Sequence, residues 1–313
     1  MEKTSTLSKP VTAAICALIC CLLWGSAFPA IKVGFAQLDI SAEDTASEIL
    51  YAGLRFTLAG IFTIIISSII SKRFLYPSVK ALPKVFGLSL FQTVLQYFFF
   101  YIGLANTSGV KASVVNATTV FASLIVSCLI FRMEKFTLPK LAGCLIGFAG
   151  VVIVNLSDGF DMNFTLKGEG FIFIAAFAYA FSTVLMKHWS KDENPMMLSG
   201  WQFLAGGLVM TAFSFLAGGR LHGFGPDDLP LLIYLALLSA AAYSLWAMLL
   251  KYNPVSRITV FCFTNPIFGV ILSAFILGEA EQAFGLKSLA ALVLVCAGIF
   301  IVNKEKKSTV SAD

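Results

Sequence analysis

The sequence predicts an all-α membrane protein of ten transmembrane helices, arranged as two inverted five-helix repeats. Three observations carry that expectation. Apolar residues fill 58% of the 313 positions and charged residues only 12%, about half the charge of an ordinary soluble domain. Ten apolar stretches reach the roughly 18 residues that span a bilayer as a helix; they lie at 11–35, 47–70, 83–104, 110–131, 138–156, 168–186, 195–217, 229–252, 255–277 and 283–302. Finally, Ala149-Gly150-Val151-Val152-Ile153-Val154-Asn155 recurs as Ala297-Gly298-Ile299-Phe300-Ile301-Val302-Asn303, identical at five of seven positions and offset by 148 residues. Five crossings is an odd number, so the second set lies upside down relative to the first. Inverted repeats of this kind typify secondary transporters, with the substrate site at the repeat interface near the bilayer midplane.

The first span resembles a signal peptide with Gly25-Ser26-Ala27 as a cleavage site. The apolar run continues past that site to Phe35, and the segment has a counterpart in the second half, so a membrane helix is the expectation. The connecting loops are short, which leaves no room between spans for a soluble catalytic or nucleotide-binding domain. Orientation follows from the basic residues. With both termini cytoplasmic, inner segments hold 16 of the 22 Lys and Arg residues, outer segments hold five, and Arg55 lies within a span. Such a bias sets orientation in short-looped membrane proteins. The net charge of +5 is therefore topogenic rather than a nucleic-acid footprint. All seven cysteines fall inside apolar spans without a Cys-x-x-Cys pair, and His188 and His222 lie near helix ends; no metal centre or cofactor is expected.

The two halves align beyond their closing motif. Gly53-Leu54-Arg55-Phe56-Thr57-Leu58-Ala59-Gly60 in span two matches Gly200-Trp201-Gln202-Phe203-Leu204-Ala205-Gly206-Gly207 in span seven, offset by 147. Ile31-Lys32 closes span one as Met186-Lys187 closes span six. Val120-Phe121 in span four corresponds to Pro266-Ile267-Phe268 in span nine, and an acidic residue, Glu134 or Glu279, follows each. The expected repeats are 11–156 and 168–303.

With these residues in order, the sequence resembles the EamA-type branch of the drug/metabolite transporter superfamily over about residues 11–303. The resemblance rests on Trp24-Gly25-Ser26-Ala27-Phe28 with Lys32, Leu54-Arg55-Phe56, Asn265-Pro266-Ile267-Phe268, Leu277-Gly278-Glu279 and the Ala-Gly endings of spans five and ten. It is the order of these motifs that is specific. The first half departs from the pattern where a proline is usual in span four, reading Thr118-Thr119-Val120. The resemblance implies a multi-pass plasma-membrane transporter that exports amino acids, related metabolites or small amphipathic compounds by alternating access, or an importer or exchanger of the same fold. Its partners would be a small-molecule substrate and the lipid bilayer, as a monomer or a homodimer, with no nucleic acid.

Polar groups within spans are costly and usually face the bundle interior or a water-filled cavity, so their positions give the site candidates. Span one offers Trp24 and Ser26; span three Gln92, Gln96, Tyr97 and Tyr101; span four Asn116, Thr118 and Thr119. Span six offers Tyr179 and Ser182, span eight Tyr243, Ser244 and Trp246, and span nine Thr264 and Asn265. Each alone reads equally well as interhelical hydrogen-bonding glue, worth about 0.6 kcal/mol. As a set they read as the lining of a cavity for small amphipathic molecules: Trp24, Gln92, Gln96, Tyr97, Asn116, Tyr179, Tyr243, Trp246 and Asn265.

Arg55 is the one cation deep within a span, about 12 Å from the outer end of its helix. A charge there costs at least about 2.5–3.5 kcal/mol unless paired or hydrated. It reads either as a partner for an anionic substrate group or as a structural clamp on helix-end carbonyls; its neutral repeat partner Gln202 favours the clamp. Lys32 and Lys187 read as snorkelling helix ends, and Glu134 and Glu279 as residues that cap or orient spans five and ten. The spacing of Gly143 and Gly147 suits close helix contact within the chain better than a dimer face. No Asp or Glu is placed mid-span, and the constellation an intramembrane enzyme needs, a base beside a nucleophile or paired carboxylates, is missing from the sequence; the chain is not expected to be an enzyme.

The charge bias fixes a topology test. Reporter fusions after Asp161 and at Asp227 should report outside, and fusions at Pro77, Lys191 and the C-terminus inside. An external C-terminal fusion would end both the ten-span reading and the inverted repeat.

Overall fold

The apolar stretches fold as helices in the computed structural model, which describes residues 6–41, 43–107, 109–155, 164–277 and 286–304; no strand occurs among them. The helices in chain order are α1 (Pro10–Gln37), α2 (Thr45–Ile70), α3 (Leu82–Leu88), α4 (Gln96–Ala105), α5 (Gly109–Asn116), α6 (Thr119–Ile125), α7 (Leu138–Asn155), α8 (Phe171–Trp189), α9 (Pro195–Leu216), α10 (Leu229–Tyr252), α11 (Val255–Thr259), α12 (Thr264–Leu277) and α13 (Leu286–Lys304). A π-helical turn, Ser89–Leu95, joins α3 to α4 in one rod. Six helical rods among the described residues are long and apolar enough to cross a membrane: Pro10–Gln37, Thr45–Ile70, Val79–Leu104, Leu166–Trp189, Pro195–Leu216 and Leu229–Tyr252. The protein is thus a multi-pass membrane protein.

The other four expected spans are shorter or interrupted. Shorter apolar helices run over Val114–Ile130, Leu138–Ile153 and Leu289–Lys304, and a 3-10 turn, Val260–Phe263, separates α11 from α12. Thr118 explains the first interruption. Its hydroxyl donates to Val115 O (2.5 Å), its amide also turns back to Val115 O, and Val120 N reaches Ala117 O. These i to i−3 bonds tighten the chain between α5 and α6 without a proline. In the second interruption Thr264 Oγ1 donates to Phe261 O (2.7 Å) in the same i to i−3 pattern. Spans four and nine are thus both interrupted within their first half, although only span nine carries Pro266.

Local signals set the helix ends. Asp44 caps α2 by accepting from Ser47 N (3.0 Å), and Asn194 caps α9 by accepting from Met196 N and Met197 N with Pro195 in the first turn. Lys187 departs from expectation. Instead of snorkelling, it donates to Lys251 O (3.2 Å) and Asn253 O (2.8 Å), neutralising the carbonyl-rich end of α10. Glu134 pairs with Lys140 of α7 (3.1 Å), as expected for span five, and also accepts from Ser256 N and Ser256 Oγ at the start of α11, which ties it to span nine as well. Glu279 and the side chain of Lys32 lie outside the described residues.

Outward faces are apolar: Val11, Ile15, Ile19 and Leu22 of α1 and Ile61, Ile65 and Ile69 of α2 are exposed. With apolar residues on both the inside and the outside, lipid provides no hydrophobic reason for helices to associate, so close van der Waals contact must do it. Glycines supply that contact between α2 and α9. A Cβ on Gly53 would lie 2.6 Å from Thr211 Oγ1, and one on Gly200 would lie 2.8 Å from Ile64 Cγ1. A Cβ on Gly60 would strike Leu204 N, and one on Gly207 would strike Thr57 N. Each contact has its counterpart 147 positions along in both partners. Between α7 and α13 the pattern returns at an offset of 148: a Cβ on Gly143 would lie 2.8 Å from Gly298 O, and one on Gly150 would lie 2.8 Å from Ala291 O. The Gly143 and Gly147 pair thus packs within the chain.

Arg55 fastens α2 to α10. Its Nε donates to Ser239 Oγ (3.0 Å) and lies 3.3 Å from Leu235 O, and the residue is buried. Two stability outcomes follow. Gly60→Ala and Gly207→Ala should each lower the melting temperature in detergent by several degrees, an overpacking cost of about 1–3 kcal/mol, while Gly225→Ala, whose Cβ would meet nothing nearer than 3.7 Å, leaves it unchanged. Ser239→Ala should also lower it, by the roughly 1.5–3 kcal/mol of a hydrogen bond to a charged group; an unchanged melting curve would remove the clamp.

Candidate functional site

Trp24 lies at the centre of an aromatic cluster built from α1, α4, α8 and α10. Its ring centroid is 4.8 Å from Trp246, 5.1 Å from Tyr243 and 6.5 Å from Tyr179, the Trp246 and Tyr179 contacts being edge-on. Tyr97 Oη and Tyr243 Oη share a hydrogen bond of 2.8 Å. Trp24 and Tyr97 belong to the first half of the chain, and Tyr179, Tyr243 and Trp246 to the second. Every contact just named therefore crosses between the halves. Five of the nine residues expected in the cavity lining meet here.

Beneath them, Phe56 and Phe203 stack at 5.2 Å with their planes 16° apart, Phe56 against Tyr97 (4.4 Å) and Phe203 against Tyr243 (4.9 Å). These two phenylalanines are not among the expected lining residues. A signal for them exists, since they occupy matching positions 147 apart in the aligned motifs of spans two and seven. Residues 147 apart that touch lie where the two halves meet.

The π-helical turn places the glutamines. Its Ser89 Oγ lies 2.9 Å from both Val85 O and Gln202 O, and Thr93 Oγ1 donates to Gln202 Oε1 (2.8 Å). These bonds to α9 hold the widened turn, and π turns recur at functional sites because they re-aim the residues that follow. Gln92 lies within the turn and Gln96 at its exit, next to Tyr97. Among the described residues both glutamine Oε1 atoms are buried without a hydrogen-bond partner, as are the indole Nε1 atoms of Trp24 and Trp246 and Asn265 Oδ1. A buried polar atom left unpaired costs about 1–3 kcal/mol, so two donors and three acceptors remain here for a molecule that can complete them.

Asn265 lies in the first turn of α12, which packs along α1 so tightly that a Cβ on Gly25 would lie 2.7 Å from Phe268 Cβ. Asn116 ends α5 at the helix interruption and is half-buried; among the described residues no hydrogen bond or ring contact joins it to the Trp24 cluster. Ser26 turns elsewhere, its Oγ donating to Leu23 O (2.8 Å) or sharing a bond with Tyr234 Oη (2.8 Å). Cys20 Sγ and Cys21 Sγ donate to Ala242 O (3.4 Å) and Phe261 O (3.3 Å), small packed groups on the inner face of α1. Among the described residues no three His, Cys, Asp or Glu side chains gather as a metal site.

Comparison with known proteins agrees with this architecture. The model of the EamA-like transporter family matches residues 11–156 and again 166–304. A protein of Archaeoglobus fulgidus described as an uncharacterized transporter is 30% identical over 289 residues, covering 90% of this chain and 95% of its own. YvbV of Bacillus subtilis, also described as an uncharacterized transporter, is 23% identical and covers 98% of this chain and 96% of its own. A WAT1-related chloroplastic protein of Arabidopsis thaliana is 26% identical over 64% of this chain and 50% of its own. A solved crystal structure shares the fold at a TM-score of 0.73 and 16% identity, over 93% of this chain and 96% of that one. The family and its archaeal and bacterial relatives are named as transporters rather than enzymes, and the chain belongs to the EamA-like transporter family.

Proposed function

We propose that this protein is a secondary transporter that exports amino acids, related metabolites or small amphipathic compounds across the plasma membrane. In this reading ten helices cross the bilayer as two inverted five-helix repeats, residues 11–156 and 168–303, with both termini in the cytoplasm. The reciprocal glycine contacts support the symmetry: where residue i of one motif touches j of the other, the counterpart of j touches the counterpart of i, as at a two-fold interface. An interruption in the first half of both span four and span nine is consistent with it.

One observation carries the functional reading. The buried, unpartnered polar atoms of Trp24, Gln92, Gln96, Trp246 and Asn265 belong to an aromatic cluster or to the helices beside it, at the junction of the two halves. Aromatic walls with a few convergent polar groups suit a small amphipathic ligand, and the repeat interface is where such carriers bind. Rocking one half against the other would break and remake the cross-half contacts, Tyr97 with Tyr243 among them. That motion would present the site to each side in turn.

A comparison of metabolites in cells lacking and overproducing the protein names the compound. Gln96→Ala and Asn265→Ala should then each reduce its efflux about tenfold, the kinetic equivalent of one lost hydrogen bond of roughly 1.4 kcal/mol, while protein level in the membrane stays unchanged. Full efflux by both variants would place the substrate elsewhere.

A further inference from the structure

Arg55 carries donors beyond the one that fastens two helices. Its Nε is occupied by Ser239 Oγ and Leu235 O, yet among the described residues neither Nη group has a hydrogen-bond or ion-pair partner. These groups form the outer edge of the guanidinium fork, which matches a carboxylate in a planar, two-point geometry. The residue is 3% exposed, so its unpaired donors are not simply turned to bulk water. The nearest carboxylate along α2 is Glu48, seven residues or about 10 Å away along the axis, and it forms no ion pair with Arg55.

The surroundings favour an anion with an apolar body. The guanidinium carbon lies 5.2 Å from the centre of the Phe56 ring, which packs at 4.4 Å against Tyr97. Tyr97 and Tyr243 belong to the Trp24 cluster already described, and Tyr101 lies 6.2 Å from Tyr97, centroid to centroid. The cation thus borders the candidate site. The second half offers no matching charge, because Gln202, aligned with Arg55, is neutral and its Oε1 accepts from Thr93. Arg55 therefore has no charged counterpart at the aligned position of the second half.

We propose that the Nη edge of Arg55, with the hydroxyl of Tyr101, is a subsite for the carboxylate of a transported molecule whose remaining body is aromatic or similarly apolar. The proposal rests on the transporter reading above. The clamp and the anion partner, alternatives in the sequence, then fall on different nitrogens of one side chain.

Sodium benzoate and its neutral analogue benzamide test this on the purified protein in detergent, against sodium chloride at equal ionic strength. Benzoate at about tenfold over its Kd should raise the melting temperature by about 3 °C, with no comparable rise for benzamide. Arg55→Gln should abolish the benzoate shift. Since that variant also loses the Nε bonds, Tyr101→Phe is the second probe; it should keep the unliganded melting temperature and weaken benzoate several-fold. Equal stabilisation by benzamide, no response to benzoate, a full response in Arg55→Gln, or unchanged affinity in Tyr101→Phe would each overturn the subsite. The transporter reading fails separately, if no metabolite differs between cells lacking and cells overproducing the protein.

Discussion

The close approach of α2 and α9 is the constraint on which the rest of the structure depends. In lipid, an apolar side chain gains little by moving from acyl chains to another helix, so association rests on dense contact and a few polar bonds. Gly53, Gly60, Gly200 and Gly207 let two backbones meet where any larger residue would collide with the opposite helix. Because that seam is narrow, Phe56 and Phe203 stack across it, and the tyrosines of α4 and α10 rest on the stacked pair. The position of the candidate site is thus set by glycines outside the aromatic cluster itself.

Polar chemistry inside the bundle divides into groups that are satisfied and groups that are not. Thr93, Ser89 and Gln202 bind α9 to the π turn, and Arg55 Nε binds α2 to α10. Those bonds are structural, each holding one helix to another. Trp24, Gln92, Gln96, Trp246 and Asn265 keep buried polar atoms unpaired, as do Tyr179 and, elsewhere in the bundle, Glu48, Thr63, Ser123, Thr137, Gln202, Thr211 and Ser214. Those on and beside the aromatic cluster are the ones that a bound molecule could complete under the proposed function.

The interrupted helices bear on motion. At Thr118 and Thr264 a hydroxyl takes the carbonyl three residues back, which spares a helical bond and leaves a short 3-10 segment or turn. These interruptions lie beside Asn116 and Asn265 in the chain, while α2 and α9 run unbroken along their seam. A rigid seam flanked by broken helices suits a carrier mechanically, since bending at a pre-broken turn sacrifices no further backbone bonds.

The composition and the ten apolar runs already determined a multi-pass helical membrane protein, because lipid forces every spanning segment to satisfy its own backbone. The aligned motifs also made legible which residues are paired between halves, Arg55 with Gln202 and Gly60 with Gly207. The sequence could not say which polar residues would be spent on packing. Ser26 read like the lining candidates along the chain, Lys187 like a snorkelling end and Glu134 like a cap, and only their neighbours in space, Tyr234, the end of α10 and Ser256, decided their roles. Nor could periodicity place Phe56 and Phe203 beneath the tyrosines, since an apolar ring in an apolar helix carries no signal of its own. Hydrophobic pattern fixes which segments enter the membrane, and the distances between helices then decide which side chains meet.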